Sequence, residues 1–213
     1  MDERIAEVAL EDGLESIVAR LDAALERTAA RVAVIDATRA SEPSGPLSPA
    51  ELRQLTLFEL PVVFAFEGDL VSAPVDVALA ADIRVCSKNA SLKGPLAGNA
   101  RIRALCDEAS ALDLFIGRRA IPAAELLDAG LVSSVSEDGS ALEEARRIAG
   151  VIASRGPIAT RLAKEAIWRG LPQPIDQALR FETDLTLLLQ TTKDRAEGVR
   201  AFLEKRTPKF TGE

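Results

Sequence analysis

The sequence PVVFAFEGDLVSAPVDVALAADIRVCSKNASL, from Pro61 to Leu92, contains an apolar run, a turn signal, a helix start and a second extended run. Residues 62–66 are uniformly apolar, as in a strand that is buried on both faces, and Glu67-Gly68-Asp69 interrupts them with turn-forming residues. The β-branched residues of segment 82–85 favour a return to extended structure. The order of these signals predicts a strand, a tight turn, a helix and a second strand.

Pro74 marks the place where the helix between the two strands begins. Its ring fixes φ near the helical value, and it lacks an N–H that the first helical turn would leave unpaired. A helix is therefore predicted from about Pro74 to Ala81, with Ser72 as a nearby N-cap candidate. The N–H of Ala73 would lie at the positive end of this helix, where it can stabilise a developing oxyanion; a purely structural turn is the alternative.

Three ordered motifs in the chain resemble those of the crotonase family, which comprises enoyl-CoA hydratases and isomerases. The first is the central stretch, 61–92, and the second is GRRAIPAAELLDAGLVSSV at 117–135. The third combines GPIATRLAKEAI at 156–167 with EGVRAFLEKRTPKFTG at 197–212, so the likeness extends over about 32–212. In the central stretch the matching residues are Pro61, Val62, Gly68, Ala78, Leu79, Ala80, Asp82, Ile83, Arg84, Asn89 and Ala90.

The predicted fold class is α/β. Strands alternate with helices in the first part of the chain, which predicts βαβ units and a mostly parallel sheet, and beyond Ser140 the pattern is helical. The resemblance implies a crotonase-like ββα spiral core at residues 1–140, followed by a C-terminal helical trimerisation region at 141–213. It also implies a homotrimer or hexamer, while a hetero-oligomer with an active homologue stays open as the alternative.

The oxyanion hole of the family, which uses two backbone N–H groups, is matched only in part. Ser72-Ala73-Pro74 stands where the family has three glycines, so the first donor falls on the N–H of Ala73. If Ser44-Gly45-Pro46 occupies the loop of the second donor, that position falls on Pro46, which has no N–H. The resemblance therefore implies one backbone donor instead of two.

The family hydratases also carry two glutamates that flank the thioester. The first aligns with Asp76 and the second with Leu96, which cannot move a proton. Asp76 is thus the only obvious acid or base; a solvated acid favoured by the helix dipole is the alternative for this residue. Phe202 can contact the ligand or merely anchor the last helix. The substrate-binding positions that the resemblance implies are Gly68, Ser72, Leu96, Pro46, Phe202 and Lys205.

Two functions remain open at this point. The first is an isomerase, hydratase or lyase acting on an acyl-CoA or acyl-carrier thioester, with the carbonyl polarised by Ala73 and with Asp76 as acid or base. Because a double-bond shift needs only one positioned base, it suits a single carboxylate better than hydration does. The second is a catalytically degenerate homologue that binds acyl-CoA or serves as the partner subunit of an active homologue. No cofactor is expected other than coenzyme A as part of the substrate.

Composition excludes several other kinds of site. The sequence has no histidine and no tyrosine, which excludes Ser-His-Asp and Cys-His nucleophilic sites and histidine metal ligation. Cys86 and Cys106 lack the spacing of a zinc site or a redox dithiol, so no metal is expected. A formal net charge of -7 and few aromatic residues disfavour nucleic acid as a partner.

The sequence shows neither a signal-peptide pattern nor an apolar run long enough to cross a bilayer. Its two cysteines lie outside any motif, which fits a reducing compartment. The expectation is a soluble protein of the cytoplasm with no membrane partner.

Overall fold

The computed structural model describes residues 2–10, 17–27, 29–39, 47–94, 102, 105–112 and 119–213. The strands are β1 (Ile5–Ala9), β2 (Val32–Ala37), β3 (Val62–Phe66), β4 (Asp69–Val71), β5 (Ile83–Ser87), β6 (Ser91–Lys93), β7 (Ile121–Pro122) and β8 (Ser134–Ser136). The helices are α1 (Ile17–Arg27), α2 (Pro49–Thr56), α3 (Ala73–Ala80), α4 (Glu108–Leu112), α5 (Ala123–Asp128), α6 (Ala141–Ala153), α7 (Pro157–Gly170), α8 (Ile175–Gln190) and α9 (Lys193–Leu203).

Two sheets organise the first part of the chain. A five-stranded sheet has the order β1-β2-β3-β5-β8 with every neighbouring pair parallel. A three-stranded sheet has the order β4-β6-β7, in which β4 and β6 are parallel and β6 and β7 antiparallel. The chain passes from β3 in the first sheet to β4 in the second and then into α3, and it repeats the change of sheet from β5 to β6. This is the predicted ββα arrangement, and the predicted α/β class is confirmed.

The central strand β3 is buried along its whole length, as its uniformly apolar sequence predicts. Its first residue, Val62, is tied to Asp82 by two hydrogen bonds: the N–H of Val62 donates to Oδ2 of Asp82 at 2.8 Å, and the N–H of Asp82 donates to the carbonyl of Val62 at 3.0 Å. At its far end, Phe66 lies opposite Ala37 of β2. The carboxyl ends of these parallel strands therefore share one edge, from which the chain leads to α3.

Helix α2 begins with a capping box. The N–H of Glu51 donates to Oγ of Ser48 at 3.3 Å, and the N–H of Ser48 donates to Oε2 of Glu51 at 2.8 Å. Pro49 occupies the first helical turn, where its missing N–H costs nothing.

The chain divides into two compact units, which we call the core unit (Met1–Gly150) and the helical unit (Val151–Glu213). The boundary falls inside α6, whereas the predicted regions meet at 140/141; that division stays a prediction. The core unit contains both sheets, and its buried cluster runs from Val8 to Val132. The helical unit contains α7, α8, α9 and the last ten residues, 204–213, which we call the tail.

The tail folds back along α9 and is held there by two acidic side chains. Asp194, only 5% exposed, accepts hydrogen bonds from the N–H groups of Thr211 at 2.7 Å and Gly212 at 2.9 Å. Glu197 binds the guanidinium of Arg206 through two hydrogen bonds of 2.6 and 3.0 Å. The same carboxylate accepts the N–H of Lys209 at 2.9 Å. Because these acids lie three positions apart on α9, they fix the tail along one side of that helix.

Candidate functional site

Helix α3 is a wholly buried helix that follows directly on β4. It begins at Ala73, one residue before the predicted start, and ends at Ala80. All eight residues are buried, including the carboxylate-bearing Asp76. The helix therefore has no solvated face, and the predicted alternative of a solvated acid at Asp76 is wrong.

Ser72, the residue before α3, has an unusual backbone conformation. Its φ is 60° and its ψ is -139°, a combination that L-residues with a β-carbon avoid and that glycine adopts readily. An N-cap residue normally has a negative φ and accepts a hydrogen bond on its side chain. The side chain of Ser72 makes no such bond. Ser72 thus occupies the predicted N-cap position, but its side chain does not cap the helix.

The first turn of α3 leaves one N–H available. Pro74 has no N–H, and the N–H of Val75 donates to the carbonyl of Ser72 at 3.0 Å. Within the described ranges, the N–H of Ala73 has no recorded acceptor. This donor stands at the positive end of the helix dipole, where it favours a negatively charged or strongly polarised oxygen.

Asp76 lies in the same first turn, three positions after Ala73. Its side chain is 1% exposed. The Cα–Cβ bonds of a helix tilt towards its N-terminus, so the side chain of Asp76 starts out in the direction of the turn that carries the Ala73 N–H. The local fold thus combines one available hydrogen-bond donor and one acid at the start of a buried helix.

Arg84 fixes the opposite end of α3. Its guanidinium, 3% exposed, donates to the carbonyl of Ala81 at 2.7 Å, to that of Ala78 at 3.4 Å and to that of Leu131. Burial lowers the pKa of Arg84 to about 10, an effect that the charge of Asp82 opposes. The carbonyls of Ala78 and Ala81 lie at the negative end of α3, so the guanidinium that binds them holds this end of the helix in place. In the sequence, Arg84 was singled out only as one of the residues that match the family. A single arginine inside an apolar strand was the signal that could have indicated a buried guanidinium bound to backbone carbonyls.

The turn between β3 and β4 also has a fixed geometry. Gly68 has a φ of +63°, which explains glycine at this position, and its carbonyl accepts the N–H of Ser91 at 3.0 Å. The carboxylate of Glu67 accepts the N–H groups of Gly139 at 3.0 Å and Ala141 at 3.2 Å. Glu67 therefore ties this turn to the start of α6. Its role had no signal in the sequence, because its partners lie more than 70 positions away.

The structure brings together four of the predicted site residues, all on the continuous segment from the β3–β4 turn to α3: Gly68, Ser72, Ala73 and Asp76. Pro46 and Leu96 lie outside the described residues. Phe202 and Lys205 belong to the helical unit; Phe202 is 82% exposed, and Lys205 is exposed with a φ of 53°. Their roles as substrate-binding residues stay predictions.

Within the helical unit, Phe202 lines an open pocket of about 420 Å³. Leu189, Val199 and Phe210 contribute the rest of its large apolar lining, and Arg195 and Asp194 its charged groups. The ring of Phe210 lies over Gly156 and Gly198, whose missing side chains leave space for it. Phe202 thus has an apolar environment on one side despite its exposure.

Other kinds of site find no support in the part of the chain that the structure describes. Cys86 is fully buried, and burial raises the pKa of its thiol to about 11, which suits a core residue rather than a nucleophile. No group of three or more potential metal ligands occurs among the described residues. Of the helices with described residues, none is both long and apolar enough to cross a membrane.

Comparison with known proteins shows consistent likenesses. A family model described as Enoyl-CoA hydratase/isomerase matches residues 42–213. The Short-chain-enoyl-CoA hydratase of Clostridium acetobutylicum is 34% identical over 171 residues, which cover 76% of this chain and 66% of that protein. The Crotonyl-CoA hydratase of Syntrophomonas wolfei is 33% identical over 175 residues, 78% of this chain and 67% of that protein. The chain therefore spans about two thirds of the length of these curated relatives.

A solved structure extends the likeness to the whole described fold. The crystal structure of an Enoyl-CoA Hydratase from Bacillus anthracis superposes with a TM-score of 0.83 at 27% identity. The superposition covers 99% of this chain and 96% of that chain. The predicted crotonase-like core is thereby confirmed, while trimerisation stays a prediction.

Proposed function

The chain belongs to the enoyl-CoA hydratase/isomerase family, and we propose that it acts on an acyl-CoA thioester at the start of α3. Both relatives described above are named as hydratases of acyl-CoA compounds, which supports the thioester as the ligand class. The ligand supplies its own coenzyme A, and the proposal requires no further cofactor.

One observation carries this proposal: the available N–H of Ala73 at the positive end of a fully buried helix. When a proton leaves the carbon next to a thioester, negative charge develops on the carbonyl oxygen. A preorganised donor aimed at that oxygen stabilises the charged state more than the ground state, by about 3 kcal/mol. The Ala73 N–H is the group that provides this stabilisation.

Asp76 is the acid or base of the proposed reaction. Its carboxylate removes a proton from one carbon of the acyl chain and returns it to another, so that the double bond moves and no atom is gained or lost. Hydration would also need a group that activates water, and the family position for that group aligns with Leu96. A double-bond shift is therefore the reaction that the chain supports best.

We further propose that the protein assembles as a homotrimer or a pair of trimers through its helical unit. Ten large apolar side chains of this unit are at least 42% exposed in the single chain. Where such side chains form a contiguous patch, they mark a protein contact. These exposed residues are Val151, Ile167, Leu171, Ile175, Leu179, Leu187, Leu188, Val199, Phe202 and Leu203.

The same surface supports a second candidate function, that of a partner subunit for an active homologue. The substitutions at the family's catalytic positions, Pro46 and Leu96 above all, favour this alternative. It differs from the first candidate in its assembly: the protein alone would stay a monomer and would change size only with the homologue.

The test is a turnover assay on the purified protein with a 3-enoyl-CoA and a 2-enoyl-CoA of equal chain length, combined with light scattering. We expect interconversion of the two double-bond isomers by a protein that forms its own trimer. Absence of turnover with both substrates, in a protein that stays monomeric, would overturn the proposal in favour of the partner subunit.

A further inference from the structure

We propose that the hydroxyl of Ser72 donates a second hydrogen bond to the thioester carbonyl, beside the N–H of Ala73. The inference rests on the proposed function, because it assigns a catalytic residue to that site. It starts from a feature that the proposed function leaves unexplained: a serine in a backbone conformation that glycine adopts far more easily.

The conformation of Ser72 is imposed from both sides. On one side Val71 pairs with Lys93 in the smaller sheet, and on the other the buried α3 begins at Ala73. The resulting φ of 60° and ψ of -139° are strained for any residue with a β-carbon. Glycine would relieve this strain. The β-carbon of Ser72 therefore destabilises the turn, and no local hydrogen bond of the side chain offsets this destabilisation.

The Ser72 hydroxyl is not used by the helix. It does not cap α3, and within the described ranges no partner is recorded for it. The side chain is half-buried, so the hydroxyl is shielded in part from water. A hydroxyl that caps nothing, next to an N–H that has no recorded acceptor, makes a pair of donors at one point of the chain.

These two donors can serve a single oxygen. Only the α-carbon, the β-carbon and the carbonyl carbon of Ser72 separate its Oγ from the nitrogen of Ala73. A carbonyl oxygen has two lone pairs and can accept both hydrogen bonds. In the proposed step, Asp76 takes the proton from carbon, charge develops on the carbonyl oxygen, and the hydroxyl donates to that oxygen while keeping its own proton. Ser72 thus supplies a second donor beside the one backbone N–H that the resemblance implies.

Two substitutions separate the hydroxyl from the strain. Ser72→Ala removes the hydroxyl and keeps the β-carbon, whereas Ser72→Gly removes both. We expect both variants to lose kcat by on the order of 10²-fold with a smaller change in KM, because the lost bond is strongest in the transition state. The melting temperature should stay near the wild-type value for Ser72→Ala and rise for Ser72→Gly.

A purely structural role of Ser72 gives a different pattern. Ser72→Gly would then be more stable and at least as active as the unmodified protein, and that result would overturn the inference. The proposed function would survive it as long as Asp76→Asn abolished turnover. Loss of activity in Ser72→Gly together with higher stability supports the inference, since a variant that merely misfolds cannot show both.

A spectroscopic measurement tests the same bond without turnover. The infrared carbonyl stretch of crotonyl-CoA, labelled with ¹³C at the thioester carbonyl, reports the polarisation of that group when it is bound. We expect a shift to lower frequency on the unmodified protein and a smaller shift on Ser72→Ala. Equal shifts on both proteins would overturn the role of the hydroxyl, and no shift on either would overturn the proposed polarisation by Ala73 as well.

Discussion

The core unit and the helical unit differ in how many of their large apolar side chains they bury. In the core unit, large residues such as Phe64, Phe66 and Leu79 are fully buried around the parallel sheet. In the helical unit, all of whose residues the structure describes, Leu185 is the only large aliphatic side chain that is buried. The core unit has a hydrophobic interior of its own, whereas the helical unit presents much of its apolar surface to solvent.

This difference supports the proposal that the core unit holds the site and that the helical unit forms the assembly. Burial of the whole of α3 holds Ala73 and Asp76 inside the core unit, which is what a preorganised site needs. Exposure of leucine and isoleucine along α7 and α8 is unfavourable for a single chain and becomes favourable once another surface covers it. The core unit carries the proposed chemistry, and the helical unit carries the proposed assembly.

The largest effect is expected from charging the helical surface. The double substitution Leu187→Glu/Leu188→Glu places two carboxylates on α8 where the side chains are 60% and 58% exposed. If this surface is covered by a second subunit, each lost leucine costs at least about 1.5 kcal/mol, and burial of the charges adds to that. We expect dissociation to monomers in sedimentation velocity.

The matched control for this change lies in the core unit. Leu57 is 43% exposed at the end of α2, and Leu57→Glu should leave the assembly intact. An assembly that tolerates the double substitution in the helical unit would contradict the proposed interface.

The next effect concerns the chemistry of the core unit. Asp76→Asn keeps the shape of the side chain and removes its ability to take a proton, so kcat should fall by about 10²- to 10⁴-fold. Steady-state assays with the enoyl-CoA isomers measure this loss. The control is Asp128→Asn, at an exposed position at the end of α5, which should retain full activity. Equal activity of the two variants would remove Asp76 from the mechanism.

A smaller effect is expected on the stability of the core unit when the clamp on α3 is removed. Arg84→Met fills a similar volume but leaves the buried carbonyls of Ala78, Ala81 and Leu131 without their donor. We expect the free energy of unfolding in urea to fall by about 2–4 kcal/mol. Among the described residues, the exposed Arg147 pairs with Glu144 of its own helix and with no other acid, so Arg147→Met should change little. An unfolding free energy within about 0.5 kcal/mol of wild type for Arg84→Met would contradict the clamp.

The smallest effect is expected in the tail of the helical unit. Hydrogen bonds from Arg206 and the N–H of Lys209 lower the pKa of Glu197 from an ordinary 4.5 to about 2. A carboxylate with a depressed folded-state pKa stabilises the fold above its unfolded pKa and loses that contribution as the pH falls through the folded value. Glu197→Gln should therefore be slightly less stable than wild type at pH 7, with the difference vanishing towards about pH 2.

The control for the tail is Glu182→Gln, at an exposed position on α8. It should show no such difference at either pH. Thermal unfolding followed by circular dichroism across the pH range measures both variants, and a pH-independent difference for Glu197→Gln would rule out the ionic origin of the tail contact.

Much of the core unit could be predicted from sequence because its signals are local. The apolar run 62–66 and Pro74 each specify structure within a few residues, and the observed elements agree to within about one residue. The resemblance to the family then implied the ββα arrangement of the core. Structure that is specified by residues close together in the chain can be predicted from a single sequence.

The features that escaped prediction depend on distant partners or on backbone geometry. Arg84 binds the carbonyl of Leu131, 47 positions away, and Glu67 binds the start of α6 from 74 positions away. Serine is a common residue type at N-caps, but the strand before Ser72 and the helix after it impose a positive φ on this residue. In the helical unit, the helical pattern of the sequence predicted the helices. It could not show which apolar side chains are buried within the single chain.

The most direct test of the proposed thioester site is a calorimetric titration of the purified protein with crotonyl-CoA and, separately, with free coenzyme A. We expect saturable binding of both, with the acyl compound bound more tightly because its carbonyl accepts the Ala73 N–H. Equal affinity for the two ligands, or no saturable heat with crotonyl-CoA, would contradict a site that recognises the thioester.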